Sequence, residues 1–220
     1  MKRYLAWLFL LFLVPAVALA AETPEYNEGI DYQVLTHPQP TTVDTGSVEV
    51  VEMFWYGCPH CFHLEPLLKN WLKKKPARVT FIRMPAIFNN PEWQLDATAF
   101  YTAEVLGKGE KMHTPLFDAI HVQNRPLHTR DQLMQFFSEF GVSNDEFRNT
   151  FDSFTVQAKV QRAADLTRKY EINGVPTIIV DGKYRVDGNM AGGSYENMLK
   201  IVDYLVRKEM KENKTTAKSQ

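Results

Sequence analysis

The strand-like run Glu49-Val50-Val51-Glu52-Met53-Phe54 leads through Trp55-Tyr56-Gly57 into Cys58-Pro59-His60-Cys61, which holds the only two cysteines of the 220-residue chain. A strand that turns sharply into a helix at Pro59 puts Cys58 at the first helical turn. Unpaired backbone N–H groups there favour a thiolate. Cys58 is then the nucleophile and Cys61 its partner. Three other uses of the pair are weaker. As a structural disulfide, so short a loop contributes only about 2 kcal/mol, against roughly 3 for a 15-residue loop. A zinc site needs four ligands and the chain has no second Cys-x-x-Cys, although His60 and His63 could join the sulfurs. Attachment of c-type haem needs His directly after the second Cys, and Phe62 stands there.

The N-terminus reads as an export signal. Lys2 and Arg3 precede an apolar run from Leu5 to Val14, then Pro15 and Ala18-Leu19-Ala20, which predicts cleavage after Ala20 and a mature chain outside the cytoplasm. The alternative, an uncleaved anchor, is disfavoured by Pro15 and the Ala-x-Ala site. Removing residues 1–20 takes Lys2 and Arg3 from the 25 Lys+Arg and none of the 26 Asp+Glu, leaving a net charge of about −3. That balance gives no reason to expect nucleic acid, and Lys73-Lys74-Lys75 reads as a solvated helix end. A mature chain with 45% hydrophobic residues buries a core without covalent staples. Two cysteines alone in an oxidising compartment therefore argue for catalysis over scaffolding.

Along the chain, Tyr32 to Leu35 is a possible edge strand. Glu49 to Phe54, a helix to about Lys75 and a strand at Val79 to Met84 form a β-α-β unit. Pro66 should kink that helix. Between Asn89 and Tyr170 the pattern is helical. Trp93, Ala97 and Phe100 mark one stripe, and Leu133, Phe136, Phe137 and Phe140 another behind the capping box Thr129-x-x-Gln132. Ser143-x-x-Glu146 opens the next helix, and Val156, Val160, Ala163 and Tyr170 line a long one. Thr177 to Val180, Asp181-Gly182 and Lys183 to Val186 read as a hairpin, followed by a helix from about Ser194 to Glu209 and a tail beyond Lys211 expected to be disordered.

Cys-x-x-Cys after a strand, Gly174-Val175-Pro176-Thr177 entering a later strand, and a closing hairpin and helix together resemble the thioredoxin superfamily. Pro59-His60, the helical insertion and the export signal narrow the resemblance to its DsbA family of periplasmic thiol:disulfide interchange proteins. The implied architecture is α/β, a thioredoxin-like fold with an inserted all-helical domain. The divisions are a signal peptide at 1–20, a first thioredoxin-like part at 21–88, the insertion at 89–165, a second part at 166–211 and a polar tail at 212–220. The resemblance also implies a cis Pro176 beside the cysteines, with Val175 offering its backbone to an extended peptide. Glu52 matches the family's buried acid and is implied to relay the Cys61 proton or tune the potential. The implied partners are exported proteins with free cysteines and a membrane quinone-linked oxidase of the DsbB type. The chain is expected to be monomeric, with no cofactor or metal beyond the Cys58–Cys61 disulfide.

An oxidant of thiols needs a stabilised Cys58 thiolate. If Cys58 titrated near 4, its thiolate at pH 7 would be favoured by roughly 4 kcal/mol, close to 90 mV for a two-electron couple. A helix dipole supplies at most about 2 kcal/mol. The backbone N–H groups of His60 and Cys61, with the His60 imidazole, would have to supply the rest. The alternative within this chemistry is an isomerase or reductase. Only about 37 mature residues precede Cys58, too few for the isomerases' dimerisation domain, and thioredoxin-type reductases carry Gly-Pro between the cysteines. A metal carrier or peptide-binding chaperone is the alternative from another class.

Overall fold

The computed structural model describes residues 25–218. The signal peptide expected at residues 1–20, with its cleavage site, lies outside the described residues. Five strands form one mixed sheet in the order β1 (Gln33–Val34), β5 (Tyr184–Asp187), β4 (Thr177–Val180), β2 (Val48–Phe54) and β3 (Val79–Pro85). β2 lies between parallel β3 (Val51 opposite Ile82) and antiparallel β4 (Val51 opposite Ile179). All seven of its residues are buried, so its hydrophobic run is covered on both faces. Alternation separates those faces. Val48 and Val50 pack with Leu64 and Leu68 of α1 (Pro59–Leu72) and with Ile201 and Leu205 of α7 (Tyr195–Lys218), while Val51 and Met53 pack with Tyr170 and Ile172. Glu52 falls in line with Val48 and Val50, behind α1.

Asp181 and Gly182 turn the β4–β5 hairpin. Their φ values of 52° and 62°, with Lys183 N–H donating to the Val180 carbonyl at 3.0 Å, make a type I′ turn. A side chain at position 182 is doubly excluded, since its Cβ would sit 2.1 Å from the Gln39 carbonyl oxygen.

Between β3 and β4 run α2 (Pro91–Val105), α3 (Gly109–His121), α4 (Arg130–Ser138), α5 (Asn144–Phe151) and α6 (Phe154–Lys169), so the last helix passes the boundary expected at 165 by a turn. Thr129, Ser143 and Ser153 accept from the backbone N–H three residues on, as N-caps do. Gln132 completes its box one residue early: its side chain takes the N–H of His128, not of Thr129. α3 lacks a capping side chain and carries Pro115 inside it, which explains why no separate helix stands out there in the sequence. α1 runs without a break through the exposed Pro66. The disordered tail expected beyond Lys211 is corrected: α7 continues to Lys218. Buried Glu209, an ion-pair partner of Lys183, pins the turn before it, and Lys211 and Glu212 are good helix formers.

The insertion's core holds Phe100, Met112, Phe117, Phe137 and Phe147, and the same cluster takes in Phe54, Tyr56, Cys58 and Cys61. The cysteines thus sit where the inserted helices close against the end of β2.

Candidate active site

Cys58 ends the extended chain (φ −88°, ψ 115°) as the N-cap of α1, and Pro59 takes the first helical position, where its missing N–H costs nothing. Both cysteines are free thiols, Cys58 at 7% exposure and Cys61 at 0%. The Cys58 thiol is held down at about 6. The largest cause is a hydrogen bond from the Cys61 side chain, working against burial, followed by the backbone N–H groups of Cys61 and His60, with the His60 charge last. Cys61 moves the opposite way, pushed well up by burial, by its bond to Cys58 and by the charge of Glu52. The partner thiol and the helix N-terminus contribute more to this than the His60 imidazole.

The His60 ring is exposed, and its Nδ1 lies 2.9 Å from the hydroxyl of Tyr195, the first residue of α7. On the other side of Cys58, its Sγ donates to the Val175 carbonyl at 3.4 Å, and the Val175–Pro176 bond is cis. His60, Val175, Pro176, Asp187, Asn189 and Tyr195 line a cavity of about 320 Å³ next to the nucleophile. A Cβ at Gly57 would lie 2.3 Å from the Trp55 ring, so any larger residue there would have to displace that ring. That ring stacks on Trp93 (centroids 4.4 Å, 13° between planes), which meets Phe88 edge-on at 4.8 Å. Trp55, Trp93 and Phe88 therefore form one ladder beside the active-site loop. Asp96, buried near this loop, is pushed up to about 7 by desolvation.

Behind the cysteines lies a group of charges, of which Glu52 alone is implied by the family resemblance. Glu52 is 0% exposed, and burial and the charge of Glu65 push it up to about 8, against the pull of Arg83. Arg83 Nε approaches Glu52 Oε2 at 3.5 Å without making a hydrogen bond, and among the described residues neither Glu52 oxygen has one. Arg83 also reaches Glu65 at 3.5 Å and Glu110 at 3.3 Å. Burial opposes ionisation of Glu65, but the His113 hydrogen bond and then Arg83 outweigh it and hold Glu65 below the usual range. Burial keeps His113 neutral, so its Nε2–H donates to Glu65 (3.1 Å) and its Nδ1 accepts from the Tyr56 hydroxyl (3.0 Å). One face of α3 adds a second clamp: His121 Nε2 donates to the Tyr56 carbonyl at 2.7 Å. Arg83, Glu65, His113 and His121 carry no spacing signal, since they come from three separate elements. Only the histidines' eight-residue separation on one helix hints at a shared face.

Among the described residues no group of three or more His, Cys, Asp or Glu side chains is placed to hold a metal ion. The site's chemistry is that of two sulfurs whose titrations are driven apart.

Residues 78–200 match the family model of the DSBA-like thioredoxin domain. The thiol:disulfide interchange protein DsbA of Azotobacter vinelandii is 42% identical over 199 residues, spanning 90% of this chain and 92% of the relative. That of Pseudomonas aeruginosa is 38% identical over 200 residues, spanning 91% and 93%. The crystal structure of Pseudomonas aeruginosa DsbA superposes with a TM-score of 0.79 at 40% identity, covering 86% of this chain and 97% of that one. Identity of this order across nearly the full length of both partners, on a fold that superposes throughout, leaves one conclusion: the chain belongs to the DsbA family and is a thiol:disulfide oxidoreductase.

Proposed function

We propose that the protein works in the periplasm as an oxidant, passing its Cys58–Cys61 disulfide to newly exported proteins with free cysteines. The observation that carries this reading is the divergence of the pair, with Cys58 held at about 6 and Cys61 pushed up. At pH 7 the Cys58 thiolate lies about one unit above its midpoint, which favours the dithiol by roughly 1.4 kcal/mol, or about 30 mV. That is a third of the shift a midpoint near 4 would give. The sign is the same: a stabilised dithiol makes the disulfide a better oxidant.

In the first step a substrate thiolate attacks Cys58 Sγ, the Cys58–Cys61 bond breaks, and Cys61 leaves with the electron pair and takes a proton. In the second, another substrate thiolate attacks the substrate sulfur of the mixed disulfide, and Cys58 leaves as the thiolate. The substrate has lost two electrons and the enzyme has gained them. A low-pKa sulfur is the better leaving group, so the second step favours release of oxidised substrate. Glu52, with a midpoint near neutrality, is suited to exchange the Cys61 proton. Val175, next to the nucleophile, offers its backbone to an extended substrate in the manner of an added strand, and Pro176 shapes the same wall. The disulfide is the only redox group this cycle requires. Its restoration is assigned to a membrane quinone-linked oxidase of the DsbB type, and residues 1–20 to export.

The experiment is the equilibrium of the mature protein with glutathione buffers, with the thiols of Cys58 and Cys61 counted by alkylation mass shift. A potential well above the thioredoxin value of about −270 mV is expected. A value near it would make the protein a reductase.

A further inference from the structure

The exposed His60 ring makes its one hydrogen bond among the described residues to Tyr195, which is 135 positions away in sequence and belongs to another helix. An exposed imidazole on a first helical turn otherwise samples several rotamers. Tyr195, by contrast, stands on a fixed base. Ser194 Oγ caps α7 by accepting from Asn197 N–H at 3.2 Å, Asn197 Nδ2 ties back to the Ala191 carbonyl at 3.1 Å, and Met198 is buried in the core. We propose that Tyr195 is a positioning residue that fixes the His60 ring through Nδ1 and thereby raises the oxidising strength of the Cys58–Cys61 pair.

The direction follows from hydrogen-bond chemistry. A protonated imidazole donates from both nitrogens, so the phenol oxygen accepts from Nδ1, and such a charge-assisted bond is roughly twice as strong as a neutral one. A charged ring is useful only opposite a Cys58 thiolate, which exists in the dithiol and not in the disulfide. The hydroxyl therefore stabilises the reduced protein more than the oxidised one. The phenol lies in the field of both sulfurs: burial raises its own titration first, and the charges of Cys58 and Cys61 raise it further. Tyr195 also forms part of the wall of the cavity beside Val175, so the ring it holds faces the space a substrate would enter.

The inference rests on the Cys58 thiolate being what makes the pair oxidising. The wild-type potential tests that reading, while the ratio of variant to wild type tests Tyr195 whatever that potential is. Tyr195→Phe keeps the ring and removes the hydroxyl. Its glutathione equilibrium constant and the Cys58 thiolate absorbance titration are measured in the wild-type and the His60→Ala backgrounds. The expected result is a variant up to about threefold less oxidising, a fraction of the tenfold, about 30 mV, that the whole Cys58 shift supplies at pH 7, with the Cys58 midpoint moved upward and neither change present when His60 is Ala. An unchanged constant and midpoint would overturn the proposal, and so would an equal shift in both backgrounds, which would mean that Tyr195 acts without His60.

Discussion

The two sides of the Cys58–Cys61 pair are built differently. In front of it, His60, Val175 and Tyr195 line an open cavity beside the nearly covered Cys58, and the four interact through single hydrogen bonds and a helix N-terminus. Behind it, Glu52, Arg83, Glu65, His113 and Tyr56 form a nearly dry set of charged and hydrogen-bonding groups in which Glu52 has no hydrogen bond among the described residues. Water screens the front, so each contact there is modest and easily exchanged for contact with a substrate. The back lies in low dielectric, where a charge without its counter-charge is expensive. The front can therefore tune a reaction in small steps, while the back is either complete or broken. It also ties the inserted helices to the active-site loop through His113 and His121.

The sharpest test of the division uses the sulfurs themselves. Cys58→Ser should abolish disulfide transfer, and Cys61→Ser should leave an enzyme that accumulates mixed disulfides with substrates, visible on non-reducing gels. Disulfide transfer surviving in Cys58→Ser would move the nucleophile to Cys61 and erase the distinction between front and back.

Next in size is the removal of the buried cation. Arg83→Met leaves Glu52 and Glu65 without their counter-charge, and breaking a buried ion pair in this way costs about 3–5 kcal/mol. Urea unfolding at pH 8 should show that loss, and Glu52→Gln added to the same chain should return part of it, because the neutral amide no longer needs the cation. A loss below about 1 kcal/mol, the size expected of an exposed pair, would show that water reaches the back as it does the front.

The front was legible in the sequence because its residues are neighbours or carry local punctuation. Cys58 and Cys61 share one helical turn, Pro59 marks its start, and Gly174 to Thr177 resembles a family segment. Glu52 could be singled out by resemblance, but not its surroundings: its partners come from β3, α1 and α3, and charged residues on separate elements leave no period to read. Tyr195 was missed for the same reason, since its contact with His60 spans 135 positions. The helix stripes at Leu133 to Phe140 and Val156 to Tyr170 were visible because each helix buries one face. α3 hid behind an uncapped start and Pro115, and with it went the histidine clamp on Tyr56. The end of α7 was misjudged because a polar composition reads as disorder when the anchor before it, the Glu209–Lys183 pair, is invisible in the sequence.

The smallest predicted effect separates the two sides by proton counting. Reducing the disulfide takes up two electrons and as many protons as the dithiol then binds. Below about pH 6 both sulfurs of the dithiol are protonated, so the potential should fall by about 59 mV per pH unit. Above it Cys58 stays anionic while Cys61 holds its proton, and the slope should halve to about 30 mV. The same depressed midpoint stabilises the folded dithiol. That contribution is complete above the ordinary thiol range near 8.5 and is lost as pH falls through about 6. A titration of the potential from pH 5 to 9 should thus bend near 6. If the bend sits instead near 8, where Glu52 titrates, the proton that changes with redox state belongs to the back. A single slope of about 59 mV across the range would mean that Cys58 is never anionic and that the front does not set the potential.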